Sequence, residues 1–169
     1  NGQVGIGGAL DIDTEDELEL TVNGNATVAG YIRLAASGEV DFTANGTPTI
    51  GGPVQFDTGD EVTASLTTDI GGGVCVERGG QVEISLSGNA DVDGPMSVTS
   101  TGQVDIENQG NSRIGGDLTL DTDSQVSIQA EEQSTIDGAV DVSTASQVDA
   151  GFSGGASVNG PRVIDEDSS

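Results

Sequence analysis

Ile6, Val28, Ile50, Ile70, Val92, Ile114, Ile136 and Val158 follow one another at steps of 22 residues, with a single step of 20. Two residues after each stands a glycine: Gly8, Gly30, Gly52, Gly72, Gly94, Gly116, Gly138 and Gly160. Self-similarity at a fixed period of this length marks a stacked repeat, in which each unit buries its apolar side only against its neighbours.

Further aliphatic columns run at even offsets from these anchors. Leu10, Ile32, Val54, Val74, Met96, Leu118 and Val140 form one, and Ile12, Leu34, Phe56, Val76, Val98, Leu120 and Val142 the next. Later in the unit come Leu18, Val40, Val62, Val82, Val104, Val126 and Val148, then Leu20, Phe42, Ala64, Ile84, Ile106, Ile128 and Ala150. Odd offsets carry mostly Asp, Glu, Thr, Ser, Gln and Asn. This is strand alternation with period two. Slipping one residue would turn every core side chain outward, so length changes must come in pairs. The irregular unit, Ile50 to Ile70, is short by two between Leu66 and Ile70.

The pattern predicts an all-β chain, a single-domain parallel β-solenoid of 22-residue coils with three strands per coil and seven to eight coils. At roughly 4.8 Å per coil the rod is about 34 Å long. Coils of this length fit a right-handed β-helix better than the left-handed kind, which advances by hexapeptides. One strand centres on Leu10–Ile12 and a second on Leu18–Leu20–Val22. The third runs through the small residue before the anchor, the anchor and its glycine. Corners are marked by Glu17, Glu39, Glu61, Gln81, Gln103, Gln125 and Gln147, and by Asn23-Gly24, Asn45-Gly46 and Ser87-Gly88, where glycine takes positive φ at little cost. Asn-Gly also suits two-residue hairpins, the alternative that stacking of like columns disfavours. The solenoid is expected over residues 1–161, with an acidic C-terminal tail over 162–169.

Composition limits the partners. Acidic residues number 29 against four arginines, Arg33, Arg78, Arg113 and Arg162, with no lysine and a net charge of −25. Such a charge repels nucleic acid and anionic membrane surfaces, and no apolar run approaches the roughly 18 residues of a membrane helix. Regular alternation argues against disorder. Without lysine and rich in Asp and Glu, the chain resembles proteins of extreme halophiles, the archaea among them. It begins at Asn1 without methionine, which fits a processed precursor and export.

Units such as Ile114-Gly-Gly-Asp-Leu-Thr-Leu-Asp-Thr-Asp-Ser-Gln-Val-Ser-Ile resemble the passenger repeats of filamentous-haemagglutinin-type secreted adhesins. More weakly they resemble bactofilins, short β-helices that polymerise end to end. The resemblance implies a β-helix on or outside the cell. No functional residue carries over from either family.

No catalytic residue, cofactor or metal site is expected. The chain has no histidine and one cysteine, which excludes Ser-His and Cys-His chemistry, and its corners are too tight to build a cleft. Asp13, Asp57, Glu77 and Asp121 share one outward column and Glu19, Asp41, Glu83, Asp105 and Asp149 another. Oxygen ligands of this kind suit Ca²⁺ or Mg²⁺, but no calcium-binding repeat or EF-hand loop is present, and a diffuse cation atmosphere is the plainer reading. Cys75 points outward, as a passive thiol or a crosslink between subunits. Asn25-Ala-Thr and Asn45-Gly-Thr are N-glycosylation sequons at one corner of adjacent coils.

At the far end Arg162 stands where an aliphatic is expected. With no cap ahead of the first coil, open strand edges favour pairing with further chain or another copy. The expected function is a structural subunit of an extracellular filament or cell-surface assembly, a homo-oligomer stacked end to end, with other surface glycoproteins as further partners. The alternatives are an adhesive stalk or viral fibre segment and, in the enzyme class, a polysaccharide-acting β-helix.

Overall fold

Short alternating segments with corners between them can pair their backbone groups only with the equivalent segments one repeat away. In the computed structural model, which describes residues 5–166, every segment does so. Three parallel sheets form a β-solenoid, with no helix among the described residues. Sheet A stacks eight two-residue strands from Gly5–Ile6 to Ser157–Val158. Sheet B stacks eight strands from Leu10–Thr14 to Arg162–Glu166, and sheet C seven from Leu18–Gly24 to Val148–Phe152. Coils are numbered here from their sheet A anchors, so coil 3 begins at Ile50.

Register follows the sequence columns. Leu18, Val40, Val62, Val82, Val104, Val126 and Val148 are paired neighbours in one continuous row. From coil 2 to coil 6 these columns are almost wholly buried, and fully burying one such aliphatic side chain contributes roughly 1.5–3 kcal/mol. Phe42 and Phe56, on sheets C and B, meet across the interior with ring centroids 5.9 Å apart.

The third strand is shorter than the sequence suggests, ending at the anchor before its glycine. Backbones of successive coils approach there too closely for a side chain: a Cβ at Gly72 would lie 2.5 Å from the Pro53 nitrogen. That contact recurs at the glycine of every later coil, from Gly30 to Gly160, and explains why those units keep glycine at this offset; nothing crowds Gly8 of the first coil. The Asn-Gly corner holds a left-handed backbone at Gly24, Gly46, Gly88, Gly110 and Gly154, and at Glu132 with φ 61°. Coil 3 has no such residue. Leu66 pairs with Ala44, 22 positions back, whereas Asp69 pairs with Thr49, 20 back. The shortening removes the left-handed corner and leaves both flanking strands in register.

Three features were not read from the sequence. Thr58, Ser100, Thr122 and Thr144 point inward at the corner after sheet B and are buried. The Thr58, Ser100 and Thr122 hydroxyls each donate 2.6 Å bonds to a carbonyl of the coil below, at Gly38, Gly80 and Gly102, and Thr144 donates to Ser124. Each also accepts from the amide two residues ahead. In coil 4 this column would receive Arg78, whose charge cannot enter the core. The strand bulges between Val76 and Arg78, Arg78 turns outward, and Gly79 faces Val82 and Val76 instead. Third, Asn108 is fully buried and accepts from the Ser112 hydroxyl.

Residues 162–166 fall within the expected acidic tail. Arg162–Glu166 pairs in register with Val140–Thr144 as a strand of sheet B, because backbone pairing continues although the side chains change character. Arg162 occupies the inward column and lies over the Phe152 ring, 4.4 Å from its centroid, so a cation covers the core edge there. Residues 167–169 lie outside the described range.

Candidate functional site

Outward columns carry the chemistry available at the sides of the rod. On the sheet C corner Glu17, Glu39 and Glu61 occupy successive coils, with Glu19 and Asp41 paired beside them. The charge of Asp41, then burial, then Glu61 and Glu17 hold the Glu39 carboxyl above the usual carboxylate range. Its same-coil neighbour Asp41 works most strongly against ionisation, and the stacked Glu61 and Glu17 add to it, as nearby like charges must.

Three of the four arginines are set among such carboxylates. Arg33 lies 3.1 Å from Asp11 and 3.5 Å from Asp57, on the coils either side, and Arg78 reaches Asp57 at 2.6 Å. Arg113 spans Asp91 at 2.8 Å, Asp137 at 2.7 Å and Asp93 at 3.6 Å. Gly115 gives the guanidinium its passage, since a Cβ there would meet Arg113 Nη2 at 2.9 Å. The Arg113 hydrogen bond, opposed by burial and aided by Asn159, lowers the Asp137 pKa.

The two acidic columns are broken up by this arrangement. Ala35 stands between Asp13 and Asp57, and Arg78 pairs with Asp57 at the bulge beside Glu77. Glu83 and Asp105 are neighbours, but Asp105 accepts from Gln103 at 2.7 Å, and Thr63 and Ser127 separate the pair from Asp41 and Asp149. Among the described residues no three His, Cys, Asp or Glu side chains converge as metal ligands would.

Cys75 faces outward between Gln55 and Ser97, half-buried. Burial, then the charge of Glu77, raises its thiol pKa, which disfavours the reactive thiolate. Both sequon asparagines are exposed, but they are not aligned: Asn45 pairs with Asn23, whereas Asn25 lies level with Thr47. The Thr47 hydroxyl donates to Asn25 Oδ1 at 2.7 Å, so coil 2 engages the side chain of the first sequon.

The ends differ from the sides. Ile6, Leu10, Ile12 and Leu20 of the first described coil are only partly buried, as are Phe152 and Val158 at the other end. The exposed large hydrophobics among the described residues are Tyr31 at 40%, Val163 at 54% and Ile164 at 47%. Two of these three share the last strand of sheet B. Among the described residues no helix is long and apolar enough to cross a membrane.

No family model, curated protein or solved structure matches the chain.

Proposed function

We propose that this chain is a structural rod, the repeating subunit of an extracellular filament or cell-surface assembly whose copies stack end to end. The observation that carries the reading is the exposure of Val163 and Ile164 on the outermost strand of sheet B, on a molecule whose sides are acidic and polar. A parallel edge strand presents unpaired amides and carbonyls, and apolar side chains beside them make it a template for another strand. At the opposite end Leu10 and Ile12 form the matching half-buried edge. Seating a copy's Leu10–Thr14 strand on Arg162–Glu166 places Ile12 in the column of Ile164 and Leu10 in that of Arg162.

The sides suit exposure to brine better than contact with anionic partners. A net charge of −25 on a rod of this size is self-repelling until salt screens it. That favours a halophilic exterior setting such as an archaeal cell surface. Catalysis has little support in a chain that lacks histidine and holds three of its four arginines in carboxylate pairs. Negative-stain imaging of the purified protein in molar salt tests the reading. Filaments one solenoid wide support it; discrete short rods at every concentration favour the second reading, an adhesive stalk or viral fibre segment.

A further inference from the structure

We propose that the shortened corner of coil 3 is a carbohydrate seat, and that its occupant is a glycan borne by Asn45. This rests on the exterior placement argued above. Where coil 3 lacks two residues, the corners of coils 2 and 4 face each other across a notch of about 570 Å³. That volume lies within the roughly 300–1,000 Å³ of small-molecule sites, and coils two steps apart are about 9.6 Å apart.

The walls are built for hydroxyl groups. Elsewhere the corner is tied by a ladder from the residue after the left-handed position to the carbonyl below: Thr47 to Gly24, Asn111 to Gly88 and Gln133 to Gly110. Coil 3 lacks the residues for two of these rungs. By the direction of the ladder, the Gly46 carbonyl points up into the notch and the Asn89 amide points down into it. Thr47, Thr67 and the Asp69 carboxylate join them on the lining. The Thr47 and Thr67 hydroxyls already donate, to Asn25 Oδ1 and to the Ala44 carbonyl, so they turn acceptor oxygens to the notch. With the carbonyl, the carboxylate and one donor amide, they suit the hydroxyl groups of a sugar ring, which can both donate and accept.

The sequon supplies the sugar. Gly46 and Thr47 belong to Asn45-Gly-Thr and also line the notch. Asn45 is exposed, and no hydrogen bond engages its side chain among the described residues, whereas Asn25 already accepts one from Thr47. In the transfer, Asn45 Nδ2 forms a bond to the anomeric carbon of a lipid-linked glycosyl pyrophosphate. The carbon–oxygen bond to pyrophosphate breaks, the lipid pyrophosphate leaves with the electron pair, and the amide proton passes to a base.

The test is secretion of the whole chain, behind a signal sequence, from a host that glycosylates asparagine, followed by peptide mapping and thermal melts. The companion variants are Asn45→Gln, Asn25→Gln and a filled notch with Asn-Gly inserted between Thr67 and Thr68. The proposal expects a glycan on Asn45, and a melting temperature about 2–4 °C lower for Asn45→Gln. In the filled-notch background that loss disappears, since the seat is occupied by protein. An unmodified Asn45 in secreted protein, or an equal loss with and without the notch, overturns the proposal. Because the signal sequence supplies export, either result leaves the end-to-end reading to be judged by its own images.

Discussion

Gly154 lies so close over Glu132 that a Cβ on the glycine would stand 2.9 Å from the Glu132 Cα and nitrogen. Glu132 is the one residue of the left-handed corner column that is not glycine, with φ 61°. A left-handed backbone costs a residue with a side chain about 1–2 kcal/mol, against about 0.5–1 kcal/mol of extra chain entropy lost by glycine. Glu132→Gly therefore raises stability by about 0.5–1 kcal/mol and the melting temperature by about 1–4 °C. Gly154→Ala, at φ 71° and against backbone, lowers stability by more than about 1 kcal/mol. Thermal denaturation of the two variants checks both signs.

Ser112 and Ser134 occupy the same buried column and respond oppositely to alanine. Ser112 shares its one hydroxyl proton between the Gln109 carbonyl, at 2.6 Å, and Asn108 Oδ1. Ser134 Oγ is buried and has no hydrogen-bond partner among the described residues. Ser112→Ala costs about 1–3 kcal/mol by orphaning buried Asn108, while Ser134→Ala is neutral or stabilising. Denaturant titration of the two variants measures the difference.

The inward hydroxyl ladder predicts a large effect for a nearly isosteric change. Thr122→Val removes the 2.6 Å bond to the Gly102 carbonyl and the acceptor of the Ser124 amide, at about 1–3 kcal/mol. Thr119→Val, on the outward face of the same strand, stays within about 0.5 kcal/mol of the parent. Equal shifts in denaturation midpoint would remove the ladder from the account.

These cases show where the sequence was legible. Parity placed Val126, Ile128 and their columns, the register across the shortened coil, and the corner glycines, because each obeys a rule local to one repeat. Thr122 and Asn108 were opaque because they sit at inward parity with polar side chains, so alternation and composition disagree there. Their burial depends on a carbonyl or hydroxyl whose position only the stacked coils reveal. Arg78 broke its column, and the bulge that releases it depends on Gly79 accepting the inward place. Arg162 marked a change in composition, and pairing through the backbone overrode it. The notch follows from two missing residues, yet its lining joins Thr67–Asp69 of coil 3 to residues of coils 2 and 4, which meet only in three dimensions.

Salt and acid act on the Glu39 column in the same direction. A carboxyl whose folded pKa is raised contributes its stability fully while protonated, below its unfolded value near 4.3, and that contribution is lost as pH rises through the folded value. Asp137, lowered by Arg113, does the reverse: its contribution is present above the ordinary aspartate range and lost as pH falls through its depressed value. Glu39→Gln therefore raises the melting temperature at pH 7 in about 10 mM salt, where screening extends roughly 30 Å. The gain vanishes well below pH 4 and also at about 1 M salt, where the Debye length is roughly 3 Å. The parent protein likewise melts lower as salt falls, and a melt series across salt and pH checks both trends.

End-to-end stacking through the Arg162–Glu166 edge is tested most directly by sedimentation velocity in molar salt across a wide range of protein concentration. The parent is compared with Ile164→Asp, a half-exposed position where a charge meets the next copy and costs the fold little. The account predicts that the parent forms concentration-dependent species at integer multiples of one rod, while Ile164→Asp sediments as a single rod with an unchanged circular dichroism spectrum. A parent that stays a single rod at every concentration, or a folded Ile164→Asp protein that assembles as the parent does, would contradict it.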